Sequence, residues 1–532
     1  MSQPEPKALP RLSKQGSATR LIVKGKPFLV LGGELGNSSA SSAAYMAPHW
    51  PRLRAMHLNT VLAPVSWELI EPVEGKFQWD SLDELLEGAR KSDLKLILLW
   101  FGAWKNSMST YVPSWVKRDQ SRFSRAQLPS GQGVEILSAF CSEARAADVR
   151  AFSALMSRLA QVDSSENTVL MVQIENEIGM LPVAREHGLL ANQKFGEPVP
   201  AELVQRLVAS RESLEPELRK LWEAHGAQRE GDWTRLFGEG DAAAEVFTAW
   251  HYARFVEALA QAGKAAYPLP LFVNAALNRT GKAPGEYPSG GPLPHLLDVW
   301  KAGAPSLDLL APDIYFPNFV DLTARFKRAD NPLLIPEANY CDRAEVPANA
   351  FYAFGKLDAI GFGPFSIESI DQKQQPNLLA EAYSVLAQLS PAILAAQGLG
   401  KMSGFRPRVL EDGTVIDLPV TETIGSYRFT VTFVDPHTPT DRQNTSSHGG
   451  LIIQTGPEEY LVAGQGIVLT MTAVGEGPPL AGIDWAWEGS FDAQGQWVPL
   501  RLLNGDQTHQ GRHLRLGPGE FQIQRVRLYR YR

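Results

Sequence analysis

Between residues 27 and 367 the apolar positions of this chain follow two alternating rhythms. Short runs of aliphatic and β-branched residues fall at 27–33, 59–65, 94–101, 168–177, 269–277, 307–315, 332–337 and 360–367. Runs of this kind predict strands covered on both faces. Between them apolar residues return every three or four positions, predicting helices over 43–57, 82–92, 143–162, 243–267, 318–330, 346–358 and 378–398. Only 278–306 is weakly patterned, rich in Gly and Pro around a short helical piece near 295–302. Strands alternating with helices predict an α/β fold, a (β/α)8 TIM barrel. An open doubly wound sheet would alternate similarly but needs a Gly-rich phosphate turn after its first strand, and Gly32-Gly33-Glu34 is not one.

The longest interval between strands, 178–268, predicts a helical insertion in the barrel, placed where loops wall substrate clefts. Its charges (Arg211, Glu212, Glu215, Glu217, Arg219, Lys220) read as a solvated helix face compatible with that place. After residue 400 the long helical periods stop. Short alternating runs appear at 417–420, 427–434, 451–454, 459–463, 466–473, 497–503, 513–516 and 521–531, parted by Gly, Pro and Asn turns. They predict a C-terminal all-β sandwich or jelly-roll domain over 401–532. Trp485 and Trp487 alternate onto one face there and are expected to pack in its core, a sugar-stacking pair being the other reading. Residues 1–18, polar and Pro-rich, are expected to be loosely attached, leaving 19–400 to the barrel.

Composition narrows the partners. With 44% hydrophobic and 20% charged residues in 532, core material is ample, and a net charge of −7 argues against nucleic acid or an anionic membrane surface. Cys141 and Cys341 are too few for a disulfide framework, and Cys341, close after Glu337, reads as a buried thiol. The histidines form no ligand set, so neither a metal nor a cofactor is expected. No 18-residue apolar span is apparent, which predicts no transmembrane helix, and the first ten residues lack the apolar core of a signal peptide. The expected compartment is the cytoplasm, or the periplasm if a leader has been removed. Oligomeric state is left open.

Two strands end on carboxylates. The strand at 168–177 closes on Gln173-Ile174-Glu175-Asn176-Glu177-Ile178-Gly179, and the one at 332–337 closes on Glu337. A charge where a buried strand stops is costly unless it is used. One strand-terminal Glu is more often an ion pair or a cap. Two, on well-separated strands with Asn beside one and a Tyr at the end of an intervening strand, suit a retaining glycoside hydrolase. Glu177 is the acid/base candidate, because the Asn176 amide beside it can hold a sugar hydroxyl near the anomeric centre. Glu337 is the nucleophile candidate, with Tyr315 donating a hydrogen bond that keeps it ionised. Glu175 points the same way one layer deeper and is expected to pair with an Arg or Lys. Among the aromatic residues near the strand ends, Trp67 and Trp104 are the candidates for stacking on sugar. Glu34 and Glu68 are further candidate hydroxyl contacts, a bare structural role for Glu34 and a salt bridge for Glu68 being the other readings.

The segments Trp67-Glu-Leu-Ile-Glu-Pro-Val-Glu-Gly-Lys-Phe77 and Gln173–Gly179 resemble glycoside hydrolase family 35, the β-galactosidases of clan A, over roughly residues 20–400. The resemblance implies an Asn-Glu pair at Asn176 and Glu177 and a second Glu at Glu337. The family's Cys-Ala-Glu grip on galactose is replaced by Trp100-Phe-Gly-Ala-Trp-Lys-Asn106, similar to a bacterial subgroup acting on plant cell-wall side chains, with Trp104 and Asn106 in its stead. Gly33-Glu34 also departs from the usual Ser-Gly-x-x-His. The expectation is a retaining exo-β-galactosidase acting on plant cell-wall oligosaccharides of the galactosyl xyloglucan type. Another sugar or endo action on the same barrel is the alternative, and a non-catalytic carbohydrate-binding barrel the second.

Overall fold

The computed structural model describes residues 8–370 and 377–532. Eight short parallel strands occur where the apolar runs predict them: β1 (Val30–Leu31), β2 (Thr60–Ser66), β3 (Lys95–Lys105), β4 (Val169–Asn176), β5 (Leu271–Ala276), β6 (Leu309–Asp313), β7 (Leu334–Ile335) and β8 (Gly361–Phe362). Every residue of β2, β4 and β6 is buried, which is why these strands read as continuous apolar runs rather than alternating ones. β7 shrinks to two residues between Pro332 and Pro336, neither of which can donate to a ladder. The fold class is a (β/α)8 barrel with a C-terminal β-sandwich, as expected.

The chain forms two compact units: one chiefly of Leu35–Trp50 and Val61–Asp313, the other of Leu12–Glu34, Pro51–Thr60 and Ile314–Arg532. The first holds a five-stranded sheet in the order β6-β5-β4-β3-β2. Phe272 pairs with Leu309 and Trp100 with Ile174 in its parallel ladders. Helices α1 (Ser142–Val162) and α2 (Asp241–Ala266) lie against each other, and Gly263 leaves room for the Phe152 ring, which a Cβ would meet at 2.4 Å. The interval after β4 carries short helices at Leu189–Phe195, Ala201–Ala209, Pro216–Ala224 and Trp233–Phe237 before α2. Its charges pair at the surface, Arg211 with Glu223 at 2.8 Å.

The second unit holds the three-stranded sheet β7-β8-β1. Asn59 fastens β1, its side chain accepting from Leu31 N at 3.0 Å and donating to Leu29 O at 2.8 Å. Helix α3 (Val346–Leu357) follows β7 and α4 (Leu378–Ala396) follows β8. The Tyr383 hydroxyl on α4 donates to Gly32 O at 2.8 Å. By length and composition α4 would suffice to cross a membrane, which corrects the expectation that no 18-residue apolar span occurs. Its apolar stripe, Leu379, Tyr383, Leu386, Leu389 and Ile393, is buried within this unit, as in the core helix of a globular fold.

Beyond α4 a six-stranded antiparallel sheet and a four-stranded one enclose Phe405, Tyr427, Phe429, Tyr460, Leu469 and Val526. Residue 400 is no seam between compact units: Gly355 of α3 approaches Gly404 so closely that a Cβ would lie 2.7 Å from its Cα, and Phe351 stacks on Phe521 at 5.4 Å. Two expectations are corrected. Arg11–Gln15 is a strand beside Ala18–Val23, with Lys14 donating to Ala329 O at 3.0 Å, so the loosely attached N-terminus does not extend to residue 18; residues 1–7 lie outside the described residues. Trp485 and Trp487 are half-buried rather than core residues, because on the strand Leu480–Phe491 it is Ala486 between them that faces inward.

Candidate active site

β4 carries its last polar residues out of a buried ladder. Asn176 is its final residue, fully buried, and its Oδ1 accepts from Lys105 Nζ at 2.9 Å. Glu177 follows in the left-handed region (φ 46°), which turns its carboxyl away from the strand path. Its backbone N–H donates to Asn274 Oδ1 at 2.9 Å, and Asn274 Nδ2 donates to Asp313 Oδ2 at 2.6 Å. The Asn106 side chain donates to Glu177 Oε2. Asn106 and Ser107 are themselves left-handed, and their N–H groups donate to Asn176 O and Glu177 O, each at 3.1 Å. Thus the end of β3 is laced to the end of β4 by backbone and side chain together, and the Asn106, Asn176 and Glu177 expected from the sequence meet here.

Within the second unit Glu337 stands two residues past β7, 3% exposed. The Tyr315 hydroxyl donates to its Oε2 at 2.5 Å, as the sequence reading expects, and Ile314 N donates to Glu337 O at 2.8 Å. Tyr340 and Phe365 meet the Tyr315 ring at centroid distances of 5.5 and 6.4 Å and fix its plane. Glu34 is fully buried just past β1, its backbone bonded to Pro364 O and to Ile367 N. Cys341 is a buried thiol that donates to Ser366 O at 3.2 Å, and burial pushes its pKa up to about 11.

Other expectations do not hold. Trp67 has no exposed surface; its Nε1 donates to Glu71 Oε2 at 2.9 Å and its ring meets Trp115 edge-on. Trp104 is equally buried, between Tyr252 and Phe255, with Nε1 donating to Leu137 O at 3.1 Å. Both rings are packing, since a sugar needs an open face to stack on. Of the two readings of Glu68, hydroxyl contact or salt bridge, the structure shows the second, an ion pair with Lys117 at 3.0 Å. Among the described residues no Arg or Lys pairs with Glu175; it faces the carboxyl of Asp148, and burial first, then the Asp148 charge, raises its pKa well above the usual carboxylate range.

Sequence reasoning missed Lys105, Asp148, Asn274 and Asp313. Asn274 and Asp313 carried the same signal as Glu177, polar groups near the ends of buried strands. Asp148 carried another, a carboxylate within the apolar stripe Ala147, Ala151, Phe152 and Leu155 of α1.

Comparison with known proteins corrects the family. The model that matches is that of the glycoside hydrolase family 42 β-galactosidases, over residues 46–221, and not family 35. A domain of unknown function (DUF5597) matches residues 379–515. No curated protein sequence matches the chain. Among solved structures, a cold-adapted β-galactosidase from Rahnella sp. R3 is similar at 15% identity and TM-score 0.46, covering 68% of this chain and 56% of that one. The β-galactosidase of Bacillus circulans sp. alkalophilus is similar at 14% and 0.46, covering 69% and 57%. A β-mannanase from the blue mussel Mytilus edulis is similar at 14% and 0.40, covering 71% and 96%. The chain thus spans less than two thirds of the length of these β-galactosidases.

Proposed function

We propose that this chain is a retaining β-galactosidase that removes terminal β-galactosyl residues by double displacement. The observation that carries the reading is the pair of equipped carboxyl groups at strand ends: Glu177 after β4 beside Asn176, and Glu337 after β7 under the Tyr315 hydroxyl. In a (β/α)8 barrel, catalytic groups come from the carboxyl ends of different strands. The family 42 β-galactosidase match, which includes β4, supports the choice of sugar.

In this mechanism Glu337 attacks the anomeric carbon and forms a glycosyl-enzyme ester while Glu177 protonates the departing oxygen. Glu177 then takes a proton from water as that water cleaves the ester. Tyr315 stabilises the Glu337 carboxylate before attack, and Asn106 orients the carboxyl of Glu177. The chemistry requires the two carboxyls about 5–5.5 Å apart, and carboxyl groups alone suffice for it.

The test is a panel of aryl β-galactoside, β-glucoside, β-mannoside, β-xyloside and α-L-arabinoside with wild type and Glu337→Gln, extended to galactosylated xyloglucan oligosaccharides, the expected natural class. Galactoside turnover lost in the variant supports both sugar and nucleophile. Turnover of another sugar keeps the mechanism and replaces the sugar; retained turnover in Glu337→Gln refutes the nucleophile.

A further inference from the structure

Behind Glu177 lies a second carboxyl pair that the proposed chemistry does not consume. β3 and β4 lose register between the pairs Trp100↔Ile174 and Lys105↔Asn176, so β3 bulges over residues 101–104 and its N–H groups lose ladder partners. Two side chains replace them. Ala103 N donates to Asp148 Oδ2 at 3.0 Å, and Trp104 N donates to Glu175 Oε2 at 2.7 Å. Trp100 Nε1 donates to Asp148 Oδ1 at 2.9 Å. Gly102 makes the approach possible: a Cβ there would lie 2.8 Å from both Asp148 Oδ1 and Glu175 Oε1 and 2.3 Å from Trp100 Nε1.

Both carboxyls are fully buried and converge over Gly102, one oxygen of each lying 2.8 Å from the point a Cβ there would occupy. Each oxygen of Asp148 already accepts a bond from an N–H group, which marks Asp148 as the ion. Glu175 Oε2 accepts from Trp104, while among the described residues Oε1 has no hydrogen-bond partner and is the oxygen left to carry a proton. Two bare carboxylates in this dry contact would repel.

We infer that Asp148 and Glu175 hold one proton between them, Asp148 as ion and Glu175 as acid, and that the pair positions Glu177 by fixing the β3 bulge. The bulge delivers Lys105 to Asn176 and Asn106 to Glu177, so the two carboxyls are positioning residues that touch no substrate. The kinetic consequence rests on the reading of Glu177 as proton donor; the shared proton does not.

Glu71 acts on Asp148 through its charge and is itself held by Arg150 of α1 at 3.1 Å. Lys105 stands 5.2 Å from the centre of the Phe101 ring, and α2 presents the rings of Tyr252 and Phe255 to Trp104. Because the folded chain keeps a proton that an unfolded glutamate has lost, stability falls as pH rises from the ordinary glutamate range toward the raised value for Glu175. Loss of the proton forces the carboxyls apart and frees the bulge.

Glu175→Gln and Asp148→Asn separate this arrangement from mere packing. A glutamine repeats the protonated state, its Nε2 donating to Asp148 and its Oε1 accepting from Trp104. An asparagine at 148 turns an NH₂ toward the Trp100 or Ala103 N–H and strands a buried donor, costing about tenfold or more in kcat with KM little changed. Thermal midpoint and aryl galactoside kinetics are read from mildly acidic to about pH 10. Glu175→Gln is expected to stay within about threefold of wild type at neutral pH, with the decline of both midpoint and kcat on raising the pH removed. Equal damage in the two variants, or an unchanged decline with rising pH in Glu175→Gln, overturns the inference. Hydrogen exchange of wild-type segment 100–108 needs no variant: its protection should fall over the same rise in pH, and protection independent of pH refutes the shared proton. Should wild type cleave no glycoside, the proposed function fails, while midpoint and exchange still decide this inference.

Discussion

Replacing Tyr315 with Phe isolates one hydrogen bond. The hydroxyl donates to Glu337 Oε2 at 2.5 Å, and the ring is held edge-on by Tyr340 and Phe365 without help from that oxygen. Phenylalanine therefore keeps the ring and deletes the donor. A hydrogen bond to an ionised carboxylate contributes about 1.5–3 kcal/mol, which corresponds to a loss of about 10- to 150-fold in kcat/KM. Glu337 is the proposed nucleophile toward every substrate, so the loss should be similar for aryl galactosides with good and poor leaving groups. Thermal midpoints report whether the fold is intact, since Tyr315 is half-buried and its ring contacts persist. An unchanged kcat/KM, or a loss confined to poor leaving groups, refutes the assignment of Tyr315 as the partner of the nucleophile.

Glu177→Gln should behave in the opposite way: a general acid contributes about 10²–10⁴-fold, so turnover should collapse on poor leaving groups and survive in part on activated aryl galactosides; equal loss on both would contradict the acid/base role. Trp104→Phe deletes the donor to Leu137 O inside a buried cluster and should lower stability by about 1–3 kcal/mol in urea unfolding, with the galactoside KM unchanged; a tenfold or larger rise in KM would restore Trp104 as a sugar contact. In the C-terminal sheets burial works against the Asp435 ion, but the Arg515 guanidinium, at 2.6 and 2.8 Å, and Thr438 outweigh it and hold the carboxyl at about 2. This stabilisation is present above the unfolded carboxylate value and is lost as pH falls toward 2, so Asp435→Asn should cost about 2 kcal/mol at neutral pH and little in strong acid; a pH-independent difference in urea midpoint would contradict it.

Most of the barrel was legible because buried parallel strands write themselves as unbroken apolar runs. β4 and β6 occupy the centres of their runs, and α1 spans Ser142–Val162 where periodicity predicts 143–162. The strand carrying Trp485 and Trp487 was not recognised because its outward face is as aromatic as a core face, and only the placement of Ala486 distinguishes them. The same ambiguity put Trp67 and Trp104 at the substrate. Aromatic residues beyond a strand end can line an opening or fill the space beneath it, and composition is identical in both cases. The deciding fact for Trp104 is the β3 bulge, which turns its ring inward onto α2.

The bulge also explains why the identity of the strand-end residues was readable and their arrangement was not. Periodicity reports residues that obey a ladder, whereas the candidate residues of each unit leave one. Asn106, Ser107, Glu175 and Glu177 in one unit, and Asn339 and Ser366 in the other, have φ between 46° and 68°. Each such conformation costs about 1–3 kcal/mol for a side-chain-bearing residue and persists only where its surroundings over-determine it. Around Glu177 the determinants are Asn274 on its amide, Ser107 on its carbonyl and Asn106 on its carboxyl. Around Glu175 they are the Gln173 amide, which donates to its carbonyl at 2.9 Å, and Trp104 on its carboxyl. Two strained residues flanking Asn176, each held from three or two sides, are what a packing role for Glu177 would not need. A buried strand could end on any apolar residue without such support, so the concentration of support at this one turn is an argument for chemistry there that the apolar pattern of the chain cannot express.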